Sequence, residues 1–247
     1  MSDELAVTSI RNGAKRSAQI VRVKQSLEQM AQSHLPGECA IEVGPVEILH
    51  DLELFAEEAA AVTKASNLRL ATFRAGRACA RAALKRLGSP GVAIPRGILG
   101  APVWPRGFAG SITHTNEIAA AVVARNSESI GLGIDIETDS PLDDSTMLRI
   151  VCRPEELLGD PGAFDPTNVS RGKLLFVLKE AAYKAFCPLT NTFLEFQNLS
   201  VSLDESAGTF RAELANPTNC PAGRWTVNGA FAHVEGLFVA VARSSRS

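Results

Sequence analysis

Asp135 and Glu137 stand two residues apart in the run Gly131-Leu132-Gly133-Ile134-Asp135-Ile136-Glu137. On a strand, alternate side chains share a face, so Leu132, Ile134 and Ile136 should enter a core while both carboxylates stand side by side opposite. Like charges at that spacing repel. A divalent cation relieves the repulsion, and oxygen-only donors suit Mg²⁺, with Mn²⁺ as the alternative. Gly131 and Gly133 keep the same face clear of bulk. Taken alone, the pattern also fits a solvated polar face on an edge hairpin.

A third carboxylate sits in Leu178-Lys179-Glu180-Ala181-Ala182-Tyr183-Lys184. Glu180 and Lys184 are i and i+4 on one helical face with Lys179 beside them, while Leu175, Leu178, Ala182 and Phe186 form an apolar stripe. As a plain surface ion pair this contributes ~0.3 to 0.5 kcal/mol. The chemical reading is a metal ligand or general base between two lysines for phosphate. Gly110-Ser111-Ile112-Thr113-His114-Thr115 adds hydroxyls around one histidine, which in isolation is as readily a structural hydrogen-bonder. In the stretch from Arg69 to Arg81, Arg77 and Arg81 are i and i+4 and Arg74 precedes Arg77 by three. Like charges so placed find a natural partner in an anion, with solvated arginines as the alternative.

Composition limits what can hold these residues. The chain has 247 residues, 45% hydrophobic and 21% charged, with a net charge of -2. A disordered or fibrous chain is excluded, and a core burying roughly 70 to 75% of the unfolded surface needs no disulfide or structural metal. So small a net charge gives no general field for nucleic acid or an anionic membrane, so a phosphate ligand requires a local basic cluster. Five scattered cysteines without a C-x-x-C spacing argue against a disulfide framework or zinc site and for a reducing compartment. The longest apolar run, 118–124, is far short of the ~20 residues of a spanning helix. A cytoplasmic monomer with no nucleic-acid partner and no membrane span is expected.

Residues 1–39 form an extension or helix, with Ile20, Val23, Leu27 and Met30 at helical spacing; its basic residues faintly suggest a transit peptide, but a helix is the plainer reading. Residues 40–49 alternate as a strand. Residues 54–87 read as one long helix, or two joined near Ser66-Asn67, stopped by Gly88 and Pro90. After a loop rich in proline and glycine, 118–125 and 129–137 read as a hairpin turning at Asn126-Ser127-Glu128. A short helix near 147–151 and a strong one over 171–186, closed by Pro188, precede four β-patterned segments at 199–203, 208–214, 224–227 and 236–243. The layout is α+β in two similar subdomains, 40–138 and 139–247, with the seam at 139–144. Few βαβ alternations and no G-x-G-x-x-G or Walker loop disfavour a nucleotide-binding parallel sheet.

The ordered set Gly110-Ser-Ile-Thr-His114-Thr, Gly131-Leu-Gly-Ile-Asp135-Ile-Glu137 and Lys179-Glu180-Ala-Ala-Tyr-Lys184 resembles the three signature motifs of the larger, surfactin-type 4′-phosphopantetheinyl transferases. Arg77-Ala-Cys-Ala-Arg81, Pro102-Val-Trp104-Pro and Pro188-Leu-Thr are similar to the enterobactin-type branch. The likeness covers about residues 69–198. It implies two pseudo-symmetric subdomains, each a helix on a small, mostly antiparallel sheet, with the active site in the cleft between them.

The resemblance further implies that Asp135, Glu137 and Glu180 bind Mg²⁺, with Glu180 also a candidate base. Thr113, His114, Lys179 and Lys184 would contact the phosphates of coenzyme A, His114 and Lys184 as part of the catalytic set. Arg69, Arg77 and Arg81 would serve its 3′-phosphate end. The implied reaction moves the 4′-phosphopantetheine arm from coenzyme A to a serine of an apo acyl or peptidyl carrier protein, of the kind used in polyketide or nonribosomal peptide synthesis. One departure stands out: the loop before Pro102 reads Ile98-Leu99-Gly100-Ala101 where relatives often carry Lys or Arg, so either Arg96 substitutes or the affinity for coenzyme A is lower. Two rivals stay open: a silent relative that only grips coenzyme A or a carrier, and an unrelated metal-dependent phosphohydrolase.

Overall fold

The computed structural model describes residues 2–35, 37–125, 131–142, 145–157, 166–216 and 225–246. Its first element is α1 (Ser2–His34). Val23 and Leu27 are fully buried, and Ile20 and Met30 pack partly buried beside them, so the apolar stripe lies on the body. It packs on β1 (Cys39–Pro45), β7 (Trp225–Val234) and β8 (Leu237–Arg246). Three basic residues on its other faces are engaged: Arg16 pairs with Glu47 and Glu117, Arg22 with Glu235, and Lys24 with Glu42. Leu27→Ala is expected to lower unfolding stability by ~2 to 5 kcal/mol, the cost of a cavity in a filled core, measurable by urea titration.

Three antiparallel strands in the order β1-β3-β2 make the first sheet, with β2 at Phe108–His114 and β3 at Ile118–Arg125. Beyond β1, the alternation read over 40–49 stops at Pro45 and gives way to a helical turn, α2 (Val46–Leu49). The apolar stretch read as one or two helices is two: α3 (Ala56–Ala59), and α4 (Asn67–Arg86) begun by Ser66, whose hydroxyl caps the Arg69 N–H. Gly88, at φ +75°, ends it. All but the last residue of β3 are buried, because both its faces are covered. Ala119, Ala121 and Val123 meet Ala75, Cys79 and Ala83 of α4, while Ile118, Ala120 and Val122 face the core under α1.

The second sheet is antiparallel in the order β4-β8-β7-β6-β5, with β4 at Leu132–Thr138, β5 at Leu199–Asp204 and β6 at Thr209–Leu214. This corrects the hairpin. β3 pairs only with β1 and β2, while β4 pairs with β8, so two consecutive apolar strands belong to different sheets. The changeover falls between Arg125 and Leu132, ahead of the seam read at 139–144; the turn read at Asn126-Ser127-Glu128 lies outside the described residues. A short helix, α5 (Ser145–Val151), leads to the long α6 (Pro166–Thr190). Pro188 does not close α6 but sits in its last turn; Asn191, at φ +50°, terminates it. A proline there removes one hydrogen bond without breaking the helix.

Each half is thus one long helix on an antiparallel sheet, α4 on the first and α6 on the second. Where the halves meet, β2 runs beside β4 without a backbone ladder. Instead the Ile134 N–H donates to Ser111 Oγ at 3.2 Å, and Thr113 Oγ1 donates to Asp135 at 2.9 Å. α6 approaches β4 so closely that a Cβ on Gly131 would lie 1.8 Å from the Ala185 carbonyl oxygen, and one on Gly133 1.9 Å from that of Ala181. Among the described residues Cys39, Cys79, Cys152 and Cys187 are free thiols; Cys220 lies outside them. No helix among the described residues is long and apolar enough to cross a membrane.

Candidate active site

β4 faces as its alternation requires: Leu132, Ile134 and Ile136 are buried in the core under α1, and Asp135 turns toward α6. Asp135 is 2% exposed. Its Oδ1 accepts from Lys184 Nζ at 2.6 Å and from Thr113 Oγ1, so α6 and the first sheet converge on one oxygen. Its Oδ2 is buried with no hydrogen-bond partner. Glu137, at the more open end of β4, pairs with Lys173 Nζ at 2.9 Å. Glu180 lies near both acids: burial raises its pKa, Lys184 opposes the rise, and the charges of Asp135 and Glu137 add to it. Burial works against the Lys184 ammonium, yet Asp135 and Glu180 together hold its pKa above the usual lysine value.

Among the described residues no three acidic, histidine or cysteine side chains converge closely enough to hold a metal as they stand. Lys184 and Lys173 occupy Asp135 and Glu137 respectively. The donor set nonetheless fits a hard divalent cation. A buried carboxylate oxygen without a partner is costly, and the mutual repulsion of three acids is what a cation relieves.

Lys179 departs from its expected role. Its side chain is fully buried, ion-paired with Glu156 at 2.7 Å and donating to the carbonyls of Val151 and Phe196. Adjacent helical residues project about 100° apart, so Lys179 and Glu180 address different surroundings.

His114 ends β2 with Nε2 2.7 Å from Arg69 Nη1. Arginine only donates, so Nε2 accepts and the ring is neutral. Burial, then the charges of Arg69 and Lys184, push its pKa down to about 4 against smaller opposing contributions from Thr115 and Asp135. Arg77, 5% exposed, donates from Nε to the Ile94 carbonyl; burial lowers its pKa to about 10, and Arg69, Arg81 and Arg96 press the same way against Glu58. Arg96 also lowers Arg69, after burial. Arg69, Arg77 and Arg96 therefore form a mutually repelling cationic group, with Arg96 supplied by the very loop that lacks a base before Pro102. Arg81 is held differently, by Glu58 and the Glu53 carbonyl.

This arrangement, two helix-on-sheet halves meeting at an acidic and basic cluster, agrees with the comparisons. Residues 57–124 match the 4′-phosphopantetheinyl transferase N-terminal domain, and residues 131–231 the 4′-phosphopantetheinyl transferase superfamily domain. The 4′-phosphopantetheinyl transferase Svp of Streptomyces mobaraensis is 42% identical over 189 residues, 75% of this chain and 76% of that protein. The chain belongs to the 4′-phosphopantetheinyl transferase superfamily. Npt of Nocardia iowensis, also named a 4′-phosphopantetheinyl transferase, is 36% identical over 75% of this chain and 90% of its own length. PptT of Mycobacterium tuberculosis, likewise so named, is 32% identical over 69% and 80% respectively.

In this transferase a cavity of about 180 Å³ opens between the halves, lined by residues 99–102 and 110–112 on one side and by Glu180, Tyr183, Lys184, Cys187 and Pro188 on the other. Glu180 also borders a second, more apolar groove with Ile150, Tyr183, Phe193 and Phe196. Three charged residues of the transferase escaped the sequence reading. Lys173 was legible in principle, seven residues before Glu180 on the same helical face. Glu156 and Glu58 carried no signal, since each meets its basic partner, Lys179 or Arg81, through tertiary packing alone.

Proposed function

We propose that the chain is a Mg²⁺-dependent, cytoplasmic, monomeric transferase that moves 4′-phosphopantetheine from coenzyme A onto a serine of an apo acyl or peptidyl carrier protein. The serine oxygen bonds to the β-phosphorus, the bond from that phosphorus to the adenylate breaks, and 3′,5′-ADP leaves. The observation that carries this reading is Asp135, gripped through Oδ1 from both halves while its buried Oδ2 has no partner. Asp135, Glu137 and Glu180 would hold Mg²⁺, or Mn²⁺, which when bound neutralises pyrophosphate charge.

Glu180 takes the serine proton, directly or through water. Lys184, kept charged by its acidic neighbours, offsets the charge developing on phosphate oxygens. Neutral His114 and Thr113 line the phosphate path, and His114 holds Arg69 toward it. Arg69, Arg77 and Arg96 take the 3′-phosphate, an anion that relieves their mutual repulsion. Arg81 supports this group from its pair with Glu58.

Intact-mass measurement of an apo carrier incubated with coenzyme A and Mg²⁺ tests the reading. A carrier heavier by one phosphopantetheine, absent without coenzyme A, is the expected result. Cleavage of coenzyme A with no adduct would mean a hydrolase instead, and coenzyme A binding with neither outcome would mean a silent relative.

A further inference from the structure

Lys179 and Glu156 form a closed buried pair, with side chains 0% and 1% exposed. All three Lys179 N–H groups are used, on Glu156 Oε2 at 2.7 Å, the Val151 carbonyl at 2.8 Å and the Phe196 carbonyl at 3.1 Å. Glu156 is satisfied in turn: Oε2 also accepts from the Arg153 N–H at 2.8 Å and Oε1 from the Val201 N–H at 2.8 Å. Its own carbonyl accepts from Arg171 Nε, one helical stretch earlier on α6. One ion pair therefore joins α6 to the end of α5, to the turn at Phe196–Asn198 and to β5.

Such a pair is a poor source of stability, because desolvating both charges offsets most of their attraction, and apolar groups of similar volume often hold a fold as well. What it supplies is geometry. A leucine at 179 could slide among apolar neighbours, whereas an ammonium with three fixed acceptors sets both the rotation and the axial position of its helix. Glu180 is the next residue, and Lys184 lies one turn on. Lys179 lines the apolar groove beside Glu180, yet its side chain is 0% exposed and all three of its N–H groups are committed to fixed acceptors, which leaves none for a ligand there.

We propose that Lys179 and Glu156 are a positioning pair: they set the rotation of α6 that aims Glu180 and Lys184 at the site, and Lys179 does not touch coenzyme A. The proposal rests on the transferase reading of Glu180. Three full-length variants test it, Lys179→Met, Glu156→Gln and the two combined. Either single change leaves a charge buried and is expected to destabilise the protein; the double variant leaves none and is expected to fold, as checked by circular dichroism. Coenzyme A affinity of the double variant, measured by calorimetry, should weaken by no more than about fivefold, the share lost through a displaced Lys184, while kcat falls by about 10- to 100-fold. Where the single variants fold, each should lose about as much kcat as the double, since the pair acts as a unit.

Coenzyme A affinity weakened about tenfold or more in Lys179→Met and the double variant, but not in Glu156→Gln, would overturn the proposal by placing Lys179 on the phosphates. An unchanged kcat in the folded double variant would overturn it too, leaving the pair a purely structural tie. Absence of transfer by the wild-type protein would instead defeat the functional reading, and the wild-type assay separates that failure from these two.

Discussion

Replacing Glu180 with Gln should leave a folded protein that still binds coenzyme A and turns over about 10² to 10⁴ times more slowly. Glutamine keeps the volume and the helix propensity of the residue it replaces. It also removes one of three acids that repel one another, so the fold has little to lose. Coenzyme A would keep Lys184, His114 and the arginines as partners. Raising Mg²⁺ separates the two roles assigned to Glu180. With Asp135 and Glu137 in place, a residue that only ligates should be bypassed by saturating metal, whereas a base cannot be replaced that way. Turnover that stays low across a Mg²⁺ titration is the expected result. Full recovery would remove the base role, and an undiminished rate at ordinary Mg²⁺ would remove Glu180 from the site.

Gly133→Ala should be nearly as damaging, though it adds only a methyl group. The new Cβ would lie 1.9 Å from the Ala181 carbonyl oxygen, 2.8 Å from its carbon and 3.1 Å from the Ala185 nitrogen. These are backbone atoms of a helix packed on two sides, so no side chain can turn aside. α6 must retreat from β4, at a cost of ~1 to 3 kcal/mol or more, and a protein of this size then melts several degrees lower. The retreat also draws Lys184 off Asp135, now 2.6 Å apart, and carries Glu180 with it. Activity should therefore fall by about 10²-fold in whatever fraction remains folded. Calorimetric melting together with a transfer assay at a temperature where the variant is folded checks this. A wild-type Tm with wild-type turnover would show that the close approach of helix and strand has no bearing on the chemistry.

The strand carrying Asp135 was legible because period-two alternation has two distinct faces here, one in the core and one toward α6. The helix carrying Glu180 was legible as a helix, but not in its facing. α6 has buried residues nearly all round, so its apolar stripe could not tell which lysine enters the cleft, and Lys179 reads as Lys184's equal until Glu156 is seen beside it. The same loss of contrast produced the false hairpin. β3 is covered on both faces and offers no alternation to reveal its partners, and a short break before another apolar strand looks like a turn. Arg77, Arg81 and Arg74 shared one pattern in the chain yet separate in space. Arg81 goes to Glu58 and Arg74 to the His50 carbonyl, while Arg77 stands beside Arg69 and Arg96. Spacing along a helix fixes which side chains are neighbours, not which of them a distant loop will claim.

The placement of α1 bears on the order in which the molecule can be completed. Val23, Leu27 and Ala31 lie against Ile41 and Ile118 of the first sheet and against Leu237, Val239 and Val241 of β8. During synthesis this helix emerges ahead of every other described element, and the strand that finishes its binding surface emerges last. β8 is also the strand that joins β4, bearing Asp135 and Glu137, to the rest of its sheet. Until β8 is available, the nascent helix keeps an apolar face uncovered and the acidic strand has no backbone partner. Assembly of the seam between the halves and burial of the leading helix are then one late event, set by the most distant contacts among the described elements, which carry the largest loop-closure cost.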